Sequence, residues 1–548
     1  MSHLSLLARS AIVAVCAFSA LAACGGGGGG GSTAQTPAPA PDVNLPAVDV
    51  SSVAVADPGS ALPAGWQNGV FMEIFVRSFK DSDGDGIGDL RGLTAQLDYL
   101  RDLGISGIWL MPVTRSQDND HGYAVSDYRN IEAQYGSLAD MDELLRQAHA
   151  RGIGVIIDHV INHSAAENPL FVNSKASTSN PYRDWYLWQG LKPSGWNIYG
   201  NDPWRGSTGN YYFAPFWDQM PDFNLLNPRV TAWHHDNLRF WLNRGVDGFR
   251  FDAVGNLVEN GPGAWENQAQ NFTVLRDARQ AMNAYSQRFL VCEGPSDPVG
   301  YTGACGSAFA FNNSANIIGA AKGDASAMQR AADFHKTAPA GISTMLSNHD
   351  SFAGQRAYDQ FGGNIAQYKL AAATYLLQPG TPFIYYGEEV GMAGGGSLSG
   401  DPKLRTPMSW TGNTGTAGFT SGTPYRSLSA NVGTFNVAAQ QSDPNSLLAF
   451  YKAMIGLRRS VPAIASGVYE GSVVAGSAVG FQRRLGNERA VVVINYGTGA
   501  ANVPLAGLPA GAALTAAWPA GGTDLAADGS GAVSVPVSAQ TVRVYIVR

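Results

Sequence analysis

The chain has 548 residues, 45% hydrophobic and 14% charged, enough for a large globular core and a smaller second domain. Its 36 Lys and Arg against 43 Asp and Glu give a formal net charge of -7, and no basic run occurs, so no nucleic-acid partner is expected.

The chain opens outside that globule. Arg9 precedes an apolar run over 11–20 that ends in Leu21-Ala22-Ala23-Cys24. The run is too short for a membrane span and closes on small residues, so 1–24 reads as an export signal. A Gly-rich and Pro-rich tether follows over 25–64. The Leu-Ala-Ala-Cys ending resembles the lipobox of bacterial lipoproteins. That resemblance implies a lipid anchor on Cys24 and attachment to the bacterial cell envelope, with Gly25 pointing to the outer membrane. A plain secretory signal with a flexible linker is the alternative. Of the 4 cysteines, only Cys292 and Cys305 then remain in the folded part. Export permits a disulfide between them, and two buried thiols are the alternative.

From Val70 onward, strands are predicted over 71–76, 107–111, 153–158, 246–251, 289–293, 308–312, 342–347 and 382–386. Helical patterns separate them, among them 94–103 and 138–150, closed by Gly104 and Gly152. Strands in this alternation predict an α/β fold, a closed (β/α)8 TIM barrel over 65–163 and 219–461. The stretch 164–218 interrupts it after the third strand as an inserted domain without clear periodicity. It holds Trp185, Trp188, Trp196, Trp204 and Trp217, each as fit for core packing as for stacking on a ligand. A helix over 446–459 closes the barrel region. Residues 462–548 read as a C-terminal antiparallel β-sandwich domain.

Barrels place their chemistry at the C-terminal ends of strands, and these ends are acidic. Asp158 ends the third strand, Arg250 and Asp252 the fourth, Glu293 the fifth, and His349 and Asp350 the seventh. Arg250 and Asp252 share a face by the strand period of two. Three carboxyls converging from Asp252, Glu293 and Asp350 suit glycoside hydrolysis, which needs one ionised nucleophile and one protonated acid. Strand caps or metal ligands are the plainer reading of any single one.

Together these segments resemble the α-amylase family, glycoside hydrolase family 13. Its four signature regions are matched by Asp158-His159-Val160-Ile161-Asn162-His163, Gly248-Phe249-Arg250-Phe251-Asp252-Ala253, Glu293, and Ser347-Asn348-His349-Asp350. Met220-Pro221-Asp222-Phe223-Asn224 resembles the fifth region, in a version intermediate between oligoglucosidases and neopullulanases. The resemblance implies Asp252 as nucleophile, Glu293 as acid and base, and Asp350 as the group holding the sugar hydroxyls. It implies substrate contacts for His121, Tyr123, His163, Arg250 and His349, and a structural place for Asp158.

Asp81-Ser82-Asp83-Gly84-Asp85-Gly86-Ile87-Gly88-Asp89 spaces four carboxylates at odd positions. Gly92 stands where an EF-hand needs its bidentate Glu, so this is no EF-hand, yet hard oxygens at this spacing favour Ca2+. Related members of the family bind calcium in this loop. That implies a structural site from Asp81, Asp83, Asp85 and Asp89 with the Ile87 carbonyl. The family's other calcium site implies Asn162 without identified partners.

Ala253 follows the nucleophile as in α-amylases, where α-1,6-acting relatives usually carry valine. Val254, Gly255 and Asn256 replace the Lys-His pair of many α-amylases. The expected substrate is therefore an α-1,4-glucan, as starch, maltodextrin or maltooligosaccharide, cleaved with retention by a monomer. An α-glucosidase or transglycosylase of the same fold is the alternative. A non-catalytic glycan-binding protein fits less well, because all three acids are present.

Overall fold

The computed structural model describes residues 45–207 and 209–548. The expected signal segment, Cys24 and the Gly-rich stretch lie outside the described residues. Barrel strands β1 (Phe71–Ile74), β2 (Gly107–Leu110), β3 (Gly154–His159), β4 (Gly248–Phe251) and β5 (Phe289–Cys292) pair in parallel in that order. β6 (308–309) is reduced to two parallel bridges, Ala308 with Cys292 and Phe309 with Ser343. β7 (Ser343–Thr344) pairs with β8 (Thr381–Tyr385), which returns to β1 and closes the expected barrel.

Several predicted boundaries shift, among them the strand expected over 342–347, which is reduced to Ser343–Thr344. The strand expected over 308–312 is cut short because the helix Phe311–Ala321 begins inside it. The first strand ends at Ile74, since Val76–Phe79 makes a single helical turn. The helix expected over 94–103 is two pieces, Leu90–Ala95 and Leu97–Leu103, meeting at Gln96.

Strand alternation sorts the side chains into two environments. Met72, Ile108, Val155, Phe249 and Leu290 pack outward among the helices. Phe71, Trp109, Ile156, Val291 and Phe383 fill the barrel interior. Trp66 plugs its N-terminal end against Phe71 and Phe289. Gly107 and Gly154 make room for this plug: a Cβ would lie 2.4 Å from the Phe71 ring and 2.3 Å from that of Trp66. One strand period further on, the inward positions become charged, with Glu73 after Phe71, Asp158 after Ile156 and Glu293 after Val291. A dry aromatic floor thus lies directly beneath a layer of ionisable groups.

The inserted domain carries the helix Pro169–Ala176 and a small sheet of Trp188–Gln189, Trp204–Ser207 and Asn210–Phe213. Trp185, Trp188, Trp196 and Trp204 pack on other rings there, whereas Trp217 is 40% exposed. After the helix Leu447–Ser460, the C-terminal residues build an antiparallel sheet and a two-stranded ribbon, Ala501–Leu505 with Val533–Val537. In its central strand Val492 and Ile494 face the barrel, while Val491 and Val493 face the ribbon.

The described part of the expected tether is fixed chain. Asn173 donates to the Pro46 carbonyl at 2.9 Å and Trp233 to that of Asp49 at 3.0 Å. The Val53 amide donates to Asp236 at 2.9 Å, and Ser286 Oγ to Asp57 at 2.9 Å. Residues 45–57 so form a strap from the inserted domain to the barrel's N-terminal rim, and side chains satisfy backbone groups that no ladder reaches.

Candidate active site

Arg250, pointing inward from β4, is fully buried. Its Nη1 donates to Asp252 Oδ1 at 2.6 Å and to Asp158 Oδ2 at 2.9 Å, and Nη2 lies 2.9 Å from Glu293 Oε2. One guanidinium thus gathers three carboxyls from three adjacent strands, with Asp158 in the set rather than the Asp350 expected to converge with Asp252 and Glu293. Ala253 bends the chain just past β4 with φ 46, a left-handed conformation unusual for a residue with a Cβ. The bend aims its N–H at Glu293 Oε2, 2.9 Å away.

Burial pushes Glu293 up to about 7; Arg250 opposes the rise, while Asp252 and Asp350 add repulsion. Burial also pushes Asp252 up to about 6, opposed chiefly by Arg250. Asp350 goes the other way. Burial would raise it, but His349 and Arg405 outweigh that and hold it well below the usual carboxylate range.

His121, Tyr123, His163, Asp252, Glu293 and Asp350 line one cavity of about 370 Å3. Arg250 and His349 stand behind its wall. Tyr123 stacks on His349 at 5.5 Å and donates to Asp158 at 2.9 Å. His121 Nδ1 accepts the Tyr123 amide at 3.1 Å, so Asp118 at 3.2 Å is a charged neighbour and not a proton acceptor. Burial holds His121 below its ordinary value. His163 is likewise neutral, pushed by burial down to about 3. Its Nε2 is buried without a hydrogen-bond partner in a residue that lines the cavity. A larger cavity, about 530 Å3, lies beneath the strap beside Val48 and Trp233, away from these carboxyls.

Several participants escaped the sequence reading. Glu73 accepts from His349 Nδ1 at 2.6 Å; a lone acid in an apolar strand was its signal. Arg405 donates to Asp350 at 2.9 Å and pairs with Asp401 at 3.2 Å, and Phe352 lines the cavity together with Trp217, one of the five tryptophans named from the sequence. Arg405 and Asp401 come from the long irregular segment after β8, where no periodicity marks them. Asp120 and Arg426 form an ion pair at 2.7 Å that ties the loop after β2 to that same segment.

In the acidic loop after β1, Asp81, Asp83 and Asp89 bring oxygens within 4.8 Å of one another. Asp81 accepts amides of Asp83, Gly84 and Gly86. Burial would raise Asp81, but the Thr420 hydroxyl and these amides hold it below its ordinary value. Asp85 stands outside this group, exposed and bonded to the Ile87 amide at 2.7 Å. Near Asn162, both oxygens of Asp222 are buried without a well-formed hydrogen bond. Burial raises Asp222 well above its ordinary value, with Glu259 repelling it and Asn162 favouring its charge.

Cys292 points to the helix layer and is disulfide-bonded to Cys305, with Cα atoms 6.2 Å apart. Cys305 is the last residue of the helix Pro298–Cys305. The bridge pins the segment that begins with Glu293.

A family model described as the catalytic domain of alpha amylase matches residues 73–467. The oligo-1,6-glucosidase of Parageobacillus thermoglucosidasius is 32% identical over 513 residues, covering 79% of this chain and 90% of that protein. Alpha-amylase 3 of Dictyoglomus thermophilum is 33% identical over 443 residues, covering 78% of this chain and 85% of its own. Among solved structures, the trehalulose synthase MutB of Pseudomonas mesoacidophila MX-45 superposes with a TM-score of 0.74 at 28% identity, covering 88% of this chain and 99% of that one.

Proposed function

Because the chain belongs to the α-amylase family, glycoside hydrolase family 13, we propose that it hydrolyses α-1,4-glucosidic bonds of short maltooligosaccharides with retention of configuration. The observation that carries the reading is the clamp of Arg250 on both Asp252 and Glu293. It favours an ionised nucleophile at Asp252, while burial and repulsion keep a proton on Glu293. The Arg250 and Ala253 bonds both fall on Glu293 Oε2, so the proton belongs on Oε1.

In the first step Asp252 attacks the anomeric carbon as the glycosidic C–O bond breaks, and the departing oxygen takes the Glu293 proton. In the second, water returns a proton to Glu293 while its oxygen attacks the same carbon and frees the Asp252 carboxylate. Asp350, held ionised by His349 and Arg405, accepts sugar hydroxyls and faces the positive charge that develops on the ring. His163 donates from Nε2.

The Asp120–Arg426 pair favours one refinement. It ties the loop that carries the cavity residue His121 to the segment that carries the cavity residue Arg405, and a link on that side suits a single terminal glucosyl unit over a chain running through. We therefore place the activity nearer an α-glucosidase than an internally cutting amylase. The product time course from maltoheptaose tests both parts. Glucose and maltohexaose should appear first; mixed intermediate lengths at the outset would remove chain-end action, and no turnover of any maltooligosaccharide would remove the whole reading.

A Ca2+ ion belongs to the same proposal, held by Asp81, Asp83 and Asp89, whose hard oxygen set fits it. Bound there, it supplies folding stability and no chemistry. Asp222, Glu259 and Asn162 are the residues to hold a second cation. Export and a lipid anchor on Cys24 complete the proposal.

A further inference from the structure

Asp350 is held by a neighbour whose own backbone lies in irregular chain. Arg405 donates from Nε to the His349 carbonyl at 3.0 Å and from Nη2 to Asp350 at 2.9 Å. No helix or strand includes residues 405–409, so no ladder fixes the backbone from which this side chain reaches. Buried carbonyls in such chain have to be met by side chains, and here three in succession are. Arg356 Nε donates to the Leu404 carbonyl at 2.9 Å, and Tyr385 to the same oxygen at 3.2 Å. Ser78 Oγ donates to the Arg405 carbonyl at 2.7 Å, and Tyr386 to that of Thr406 at 2.7 Å.

Arg356 differs from the other three in kind. It is a buried cation in the same loop after β7 that begins with Asp350. Besides Leu404, it serves the Tyr386 carbonyl, to which Nη1 donates at 2.8 Å. Its guanidinium lies over the rings of Tyr385 and Tyr386, 4.6 and 4.8 Å from their centres. Burying a charge is costly unless its donors are met, and two carbonyls and two ring faces meet this one. The planar fork grips both carbonyls at once, which the single ammonium of a lysine cannot do. The two loops thereby exchange arginines. Arg405 reaches from the segment after β8 to His349 and Asp350, and Arg356 reaches back to Leu404. A long side chain can swing about its backbone, so the Arg405 bond to Asp350 is only as fixed as residues 404–406.

We propose that Arg356 is a positioning residue: by fixing the Leu404 carbonyl, with Ser78 fixing the next one, it aims the Arg405 guanidinium at Asp350 and so keeps that carboxylate in place for the sugar. Arg356 is not among the residues lining the catalytic cavity and acts only through Arg405. The proposal deepens the glycosidase reading and rests on it.

Arg356→Lys keeps the charge and gives up the double grip. Assayed well below its Tm, it should lower kcat/KM for maltotriose roughly tenfold. A loss that came from weakened folding alone would not depend on Arg405, so the same change is also made in Arg405→Ala. There its effect should shrink to about twofold or less, and an equal loss in both backgrounds overturns the proposal. Should Arg356→Lys fail to fold, Ser78→Ala takes its place in the same comparison, with a loss of roughly threefold that again disappears without Arg405. Failure of the parent reading looks different: the unmutated protein turns over no maltooligosaccharide. Wherever turnover is too low to compare, crystal structures of the single variants decide. The Arg405 guanidinium should have left Asp350, and Arg405 still within hydrogen-bond reach of Asp350 overturns the positioning role.

Discussion

His349 Nδ1 lies 2.6 Å from Glu73 Oε1, joining the loop after β7 to the middle of β1 inside the barrel. The other nitrogen of the ring faces Asp350 at 3.0 Å. Burial opposes charge on the ring, but Asp350 and Glu73 overcome it and push His349 up to about 10. Glu73 therefore acts on the sugar only through a positively charged imidazole that keeps Asp350 ionised.

Replacing Glu73 by Gln keeps the volume and removes the charge. The folded pKa of His349 lies above its unfolded value of 6.5, so its contribution to stability is complete below that pH and is lost as pH rises through about 10. Glu73→Gln should cost about 1.5–3 kcal/mol at pH 6 and show a shallower decline toward pH 10. Melting curves at both pH values check this; parallel declines would remove the coupling.

Glu293→Gln should lower kcat about 10²–10⁴-fold while maltooligosaccharides still bind. The same variant should melt higher than the parent at pH 8. Glu293 is raised to about 7 from 4.5, so the folded state gains from its proton below pH 4.5 and loses that gain as pH rises through about 7. The advantage of the amide should grow from near zero at pH 4.5 to about 1–3 kcal/mol at pH 8. A gap independent of pH would contradict the raised carboxyl.

Removing calcium should lower Tm, by an amount matching about 2.7 kcal/mol if the ion had been present at about 100 times its Kd. Asp83→Asn should blunt that response. A fully chelated sample that melts unchanged would reduce the Asp81–Asp89 loop to a hydrogen-bonded turn.

The Cys292–Cys305 bridge closes a short loop, with a sequence separation of 13. Its removal in Cys292→Ser/Cys305→Ser should cost about 2–4 kcal/mol by loop-closure entropy. Chemical denaturation gives the number. Two free thiols at these positions in the denatured, unreduced protein would mean that the bridge does not form.

The barrel was legible because its strands are nearly continuous apolar runs between helical patterns, and the strand-end acids Asp158, Asp252 and Glu293 follow those runs at the period of two. β6 was less legible, since two bridges are too short to show a pattern before the helix at Phe311 begins. Asp401, Arg405 and Arg426 were invisible for a different reason. They sit in irregular chain after β8, where only tertiary packing brings them to Asp350 and Asp120. Composition does not sort the rings of the inserted domain, because burial of Trp185 and exposure of Trp217 depend on tertiary packing.

The clamp around Arg250 has a practical corollary. Even with Glu293 neutral, Glu73, Asp158, Asp252, Asp350 and Asp401 outnumber the cations Arg250, His349 and Arg405 within the site. Such a pocket is owed positive charge, and a neutral sugar supplies it only for the moment its ring becomes oxocarbenium-like. A small protonated amine can supply it at rest. Amine buffers should therefore compete with substrate, and assays run in them should read lower than those run in phosphate.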